Sequence, residues 1–167
     1  GSASNTADMQ SATENIMGLW GALQANATLV VHSAGWLEGG LSFGYEKFIN
    51  DVEALQIIAE LCAETLADDA EIGLDALAEV EPGGHFFAAQ HTMDRYETAF
   101  YNPLVSDLSN FGQWTDAGAK NSTERAVDIW KATLRDFQPP PGGTEAGERI
   151  ARFIADRTAA GGAAPLD

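Results

Sequence analysis

Three side chains with complementary chemistry, His32, Trp36 and Glu38, follow one another closely around the stretch Ser33-Ala-Gly-Trp-Leu-Glu-Gly-Gly40. A carboxylate and an indole face hold a cationic ammonium group by charge and cation–π attraction, while an imidazole orients it or exchanges a proton. Gly35, Gly39 and Gly40 in the same stretch permit backbone conformations closed to other residues and let a ligand approach the main chain. The residue types also fit a plainer reading, in which the histidine is hydrogen-bonded in a core and the tryptophan packs. A second group, Gly83-Gly-His-Phe-Phe87, places His85 in a glycine turn ahead of His91-Thr-Met-Asp94. No third ligand clusters with these histidines, so no metal site is assigned; His91 and Asp94 read as the start of a helix whose dipole suits an early acid. Asp68, Asp69, Glu71, Asp75, Glu79 and Glu81 read as a solvated face without the spacing of a calcium loop.

The elements that must carry these residues are mostly helical. Ser11-Ala-Thr-Glu14 has the form of a capping box, and Ile16, Leu19, Trp20 and Leu23 follow on one face, predicting a helix from about Ser11 to Gln24. Thr28 to His32 is a short β-branched apolar run, predicting a strand buried on both faces that ends at the glycine turn. Phe48, Val52, Leu55, Ala59, Cys62 and Leu66 alternate steps of four and three, the stripe of a long helix with that side in the core. Leu74, Leu77 and Val80 mark a shorter helix stopped by Pro82-Gly83-Gly84, and Phe86-Phe87 suggests a brief strand. Met93, Tyr96 and Phe100 predict a helix ending before Pro103. Asn121-Ser-Thr-Glu124 caps one that buries Val127, Trp130, Leu134 and Phe137. After the stiff Pro139-Pro-Pro-Gly-Gly143 comes a last helix near Ile150, Phe153 and Ile154, then a frayed small-residue tail from Ala159 to Ala164. A doubly buried strand needs paired neighbours and covering helices, and this chain offers one such strand; either the rest of an α/β sheet lies elsewhere or residues 28–32 belong to a helix.

Composition narrows the function classes. Nine basic against 25 acidic residues give a formal charge of −16, which opposes binding to nucleic acid or anionic lipid. No apolar run is long enough to span a bilayer and no signal-peptide pattern is seen. The single cysteine, Cys62, excludes an internal disulfide and leaves a reducing cytoplasm as the expected location.

Ser4-Asn-Thr-Ala-Asp-Met-Gln10, then Val31-His-Ser-Ala-Gly-Trp-Leu-Glu-Gly-Gly-Leu41 with Tyr45-Glu-Lys-Phe48, resembles the C-terminal region of the trimethylamine methyltransferase family. Gly83-Gly-His-Phe86, His91-Thr92, Tyr101-Asn-Pro103 and the tryptophan-bearing helices before Pro139-Pro-Pro141 extend the likeness over nearly the whole chain, the glycine turn being its most specific part. The resemblance implies an α/β fold, here the C-terminal part of a TIM (β/α)8-type barrel that is helix-rich with few strands. Residues 1–137 would form barrel βα units and helices, and residues 138–167 a Pro-rich break, terminal helix and tail. It implies transfer of a methyl group from a quaternary or tertiary methylated amine to the Co(I) corrinoid of a separate carrier protein, with no cofactor bound directly. On this sequence His32 and Glu38 would be catalytic, and Asp8, Gln10, Gly35, Trp36, Gly39, Gly40 and His85 would bind substrate. The partners implied are the amine and a cognate corrinoid protein, and a homo-oligomer is compatible with the family. Part of a barrel encloses no substrate, so the chain by itself is expected to be inactive. Two other classes remain open from residues alone: a non-catalytic interaction module using a sheet edge and acidic helices, and a metal-dependent hydrolase using His32, His85 and His91.

Overall fold

Aspartate at position 8, ahead of a run of good helix formers, starts the first helix of the computed structural model, which describes residues 1–162. Helix α1 spans Met9–Gln24, starting two residues upstream of the expected Ser11, and its cap is Asp8: the Asp8 carboxylate accepts from Ser11 N–H, and Ser11 Oγ accepts from Asp8 N–H. Ser11 therefore closes the capping box from inside, and Glu14 is released for another task. Of the expected apolar stripe, Leu19 is buried, while Ile16, Trp20 and Leu23 stay substantially exposed.

The expected strand at residues 28–32 does not form. Among the described residues no strand lies beside it, so its N–H and C=O groups have no ladder to join. Leu29 is 78% exposed, Val31 67%. The only pairing among the described residues is a two-stranded antiparallel hairpin inside the glycine turn: β1 (Trp36–Leu37) and β2 (Ser42–Phe43), with Trp36 opposite Phe43. The turn between them holds Glu38, Gly39 and Gly40 at positive φ.

Helix α2 follows as Tyr45–Leu61, with Cys62 at its C-cap and exposed, so Leu66 falls outside it. Its buried residues are not those of the expected stripe, of which Val52 and Leu55 are half-buried. Lys47, Ile49, Asp51 and Glu53 are buried, whereas Phe48 and Leu66 are exposed. Helices α3 (Asp69–Ile72) and α4 (Leu74–Glu79) meet at Gly73, and Val80, expected inside the helix, is instead its extended C-cap. Phe86–Ala88 is a single 3₁₀ turn rather than a strand, because no partner strand accompanies it either. Helix α5 (Gln90–Arg95) stops at Tyr96, short of Phe100, and α6 (Phe111–Asp116) arises where no helix was expected, capped by Asn110. Helix α7 (Ser122–Arg135) has the expected capping box: Asn121 Oδ1 accepts from Glu124 N–H, and Glu124 Oε2 accepts from Asn121 N–H.

The chain divides into two units, Gly1–Trp130 and Lys131 onward. In the first, a small core of Ile49, Val105 and Ala126 packs with Ile129 and Trp130. Trp130 stacks on Tyr45 and donates its indole N–H to Glu46. The second contains the end of α7 and helix α8 (Gly143–Ala159). Leu134 and Phe137, expected in the core, are 55% and 63% exposed. The expected frayed tail lies partly outside the described residues, which end at Gly162. No described helix is long and apolar enough to cross a membrane.

Candidate functional site

The glycine turn is held in place from three directions. From the N-terminal side, Ser2 N–H donates to Trp36 C=O, Gly39 N–H to Ser2 C=O and Glu38 N–H to Ser4 C=O, laying residues 2–4 along β1. That segment is itself fixed by α1, because Glu14 Oε2 accepts from Ser2 Oγ at 2.7 Å and Ala3 N–H at 2.8 Å, and Glu14 Oε1 accepts from Gln10 at 2.8 Å. The Gln10 amide first, then the Ser2 hydroxyl and Ala3 N–H, hold the Glu14 carboxyl below the ordinary glutamate range. The Ser11 backbone N–H and the Ser4 hydroxyl do the same for Asp8. From below, α2 supplies Asp51, whose Oδ2 accepts from Gly35 N–H at 2.8 Å while Oδ1 pairs with Lys47. Within the turn, Gly44 N–H donates to Gly35 C=O.

Gly35 cannot be another residue without rearrangement. Its φ is +86°, and a Cβ there would lie 2.2 Å from the Phe43 ring. That close approach brings Phe43 edge-on to Trp36 at 5.7 Å, and Trp36 in turn meets His32 edge-on at 5.1 Å. His32 and Glu38 both adopt positive φ, 58° and 52°. For non-glycine residues this costs on the order of 1–3 kcal/mol and persists only where the surroundings enforce it.

These constraints place His32, Trp36, Gly39 and Gly40 around one cavity of about 540 Å³, whose other walls are Gly1, Ser2 and Ala3. The remaining expected site residues are elsewhere. Gly35 and Glu38 belong to the same turn, but neither is among the lining residues. Asp8 spends its carboxylate on the α1 cap and on Ser4 Oγ at 3.0 Å, and Gln10 reaches the cavity only through Glu14 and the Ser2–Ala3 wall. His85 lies with its ring 5.1 Å from Phe87 and does not line the cavity. A larger space of about 600 Å³ between α1, α2 and residues 105–106 and 121–123 includes Asp8 but none of His32, Trp36, Gly39 and Gly40. The smaller cavity is the better candidate, because the strained backbone and the imidazole and indole rings converge there. Among the described residues no three His, Cys, Asp or Glu side chains are grouped to hold a metal ion.

Lys47 and Asp51 were not singled out as site residues in the sequence, and Glu14 was read only as the far end of the α1 capping box. Lys47 and Asp51 did carry a signal, opposite charges one helical turn apart, but such pairs are normally solvated and this one is 1% and 4% exposed.

Comparison with known proteins follows the same stretch. The family model described as trimethylamine methyltransferase matches residues 1–162. A glycine betaine methyltransferase of Desulfitobacterium hafniense is 31% identical over 154 residues, 92% of this chain and 32% of that protein. A trimethylamine methyltransferase of the same species is 31% identical over 112 residues, 67% of this chain and 22% of that protein. One from Methanosarcina barkeri is 24% identical over 111 residues, covering 66% and 22%. This chain thus spans about a third or less of the length of these relatives. The chain that builds this cavity belongs to the trimethylamine methyltransferase family.

Proposed function

We propose that the full-length protein moves a methyl group from a quaternary or tertiary methylated amine, of the glycine betaine or trimethylamine kind, to the Co(I) corrinoid of a separate carrier protein. The single observation that carries this reading is the convergence of His32, Trp36, Gly39 and Gly40 on one cavity, in a chain of this family. Trp36 suits the N-methyl groups of a cation, and Glu38, at the tip of the same turn but outside the cavity lining, adds negative charge at longer range. Gly39 and Gly40 leave the main chain bare, so that a methyl donor and a large acceptor can approach together. Gly35 sets Trp36 in place, while Asp8 and Gln10 serve the cavity through the segments they hold. In this reading the remaining (β/α) barrel strands would come from residues outside this chain, as the greater length of the relatives allows, and the expected location is the cytoplasm.

The reaction breaks a C–N bond and joins the methyl carbon to the acceptor, so the protein's own contribution is placement and charge. A quaternary amine leaves as a neutral tertiary amine and needs no proton. A tertiary amine must be protonated to leave as a neutral secondary amine, and His32 is the cavity group able to hold that proton. A quaternary substrate is the first choice, and the glycine betaine methyltransferase that matches across most of this chain supports it.

The test is an anaerobic assay of the full-length protein with a Co(I) corrinoid protein, scanning glycine betaine, proline betaine, carnitine, choline and trimethylamine. Methylation of the corrinoid with one of them, read by its absorbance, is the expected result. Silence with all five, while the same corrinoid accepts a methyl group from a known methyltransferase, would move the reading to a non-catalytic interaction protein.

A further inference from the structure

A buried ion pair one helical turn long is hydrogen-bonded to the glycine turn that walls the cavity; its residues line the larger space beside α1 and not the cavity itself. Lys47 and Asp51 of α2 are 1% and 3% exposed overall. A pair so buried is a weak source of stability, because desolvation offsets its attraction; apolar residues of similar volume would serve stability as well or better. What apolar residues cannot do is accept a hydrogen bond. Asp51 Oδ2 accepts from Gly35 N–H at 2.8 Å, in the residue just before Trp36. Gly35 is also where the main chain presses on Phe43, and Phe43 in turn touches the Trp36 ring. Gly35 N–H is thus fixed by Asp51, Gly35 C=O by Gly44 N–H, and Trp36 C=O by Ser2 N–H. The hydrogen bond from α2 is the only one of the three made by a side chain. Lys47, on the preceding turn of the same helix, engages Oδ1 and leaves Oδ2 aimed at Gly35.

We infer that Asp51, oriented by Lys47, is a positioning residue that sets the Trp36 wall of the substrate cavity through Gly35 N–H. The inference rests on the amine-binding reading of that cavity. It assigns to α2, none of whose residues lines the cavity, a role in substrate affinity.

The test compares two double variants of the full-length protein, both without the buried charges. Lys47→Met with Asp51→Asn keeps a carbonyl oxygen near Gly35 N–H; Lys47→Met with Asp51→Leu removes every acceptor. Because both lack the ion pair, they differ chiefly in that one hydrogen bond, and neither leaves a lone buried charge to prevent folding. The expected result is a KM for the methylated amine raised roughly tenfold in the leucine variant, as befits a lost hydrogen bond within the binding wall, with a near wild-type KM in the asparagine variant. Hydrogen exchange of the peptide containing Gly35 and Trp36 should also be faster in the leucine variant alone. Equal KM values and equal exchange in the two variants would overturn the inference, since a merely structural pair would shift thermal stability and nothing else. If the wild-type protein methylates no corrinoid, the functional reading fails, and the exchange comparison still decides whether Asp51 holds the turn.

Discussion

Helices α2 and α8 have the same length, 17 residues each, and opposite relations to the protein around them. Helix α8 gathers Ile150, Phe153 and Ile154 at one-face spacing, and not one of its residues is buried. Helix α2 buries four residues, three of them charged: Lys47, Asp51 and Glu53 beside Ile49. The difference lies in what surrounds each helix rather than in its own pattern. The acids of α2 meet backbone N–H groups of irregular segments that have no ladder or helix to satisfy them: Gly35 for Asp51, and Val105 and Ser106 for Glu53. A buried donor left unpaired costs about as much as a good hydrogen bond returns, so a carboxylate that reaches such a donor is worth burying. Amphipathic pattern says which side of a helix prefers an apolar neighbour. It does not supply the neighbour.

The largest expected effect lies at Glu53. Its carboxylate accepts from Val105 N–H, Ser106 N–H and Ser106 Oγ, all at a side chain 3% exposed, and Val105 belongs to the small core. Replacing Glu53 by alanine strands two backbone donors and should cost the full-length protein about 3 kcal/mol or more in chemical denaturation, from hydrogen bonds to a charged acceptor worth roughly 1.5–3 kcal/mol each. A loss below about 1 kcal/mol would show that water or another group satisfies these donors, and the contrast with α8 would lose its physical basis. A smaller effect is expected at Gly35. Alanine there must hold φ near +86° and push against Phe43, a flexible neighbour that is 47% exposed and can swing away. The conformational part should remain, about 1–2 kcal/mol. Combining Gly35→Ala with Phe43→Ala should therefore recover the contact but not the conformational cost; full recovery would mean that the turn can relax its backbone.

What the sequence showed of this fold was its helices, and it showed them where local signals act alone. Asn121 and Glu124 cap α7 reciprocally, as their spacing requires. Asp8 displaced Ser11 as the cap of α1 because both can accept from an N–H three residues on, and the earlier residue also had Ser4 Oγ to hold it. Burial was less legible, since it depends on partners remote in sequence. The run at residues 28–32 has strand-forming residues and no strand beside it, and the Phe48 to Leu66 stripe has helical spacing but contributes no fully buried residue. Of the site, His32, Trp36, Gly39 and Gly40 could be read directly, because a glycine turn bearing a histidine and an indole is local. Of their supports, Glu14 looks in the sequence like part of a helix cap and Asp51 like an ordinary surface acid. Only the hydrogen bonds to Ser2, Ala3 and Gly35 distinguish them.

The smallest expected effect lies on α8 and sharpens the comparison most. Phe153 is 68% exposed, so little apolar surface is lost from the folded state when serine replaces it. The change in stability of the full-length protein should stay within about 0.5 kcal/mol, the usual range for an exposed position. A phenylalanine that was covered would instead give about 3–5 kcal/mol on truncation, because its whole ring would leave a packed environment. The two outcomes are separated widely enough that ordinary denaturation curves decide between them. A loss near the larger figure would mean that the part of the protein outside this chain supplies α8 with the neighbour its pattern calls for, and α8 would then join α2 as a helix whose role is set by what packs against it.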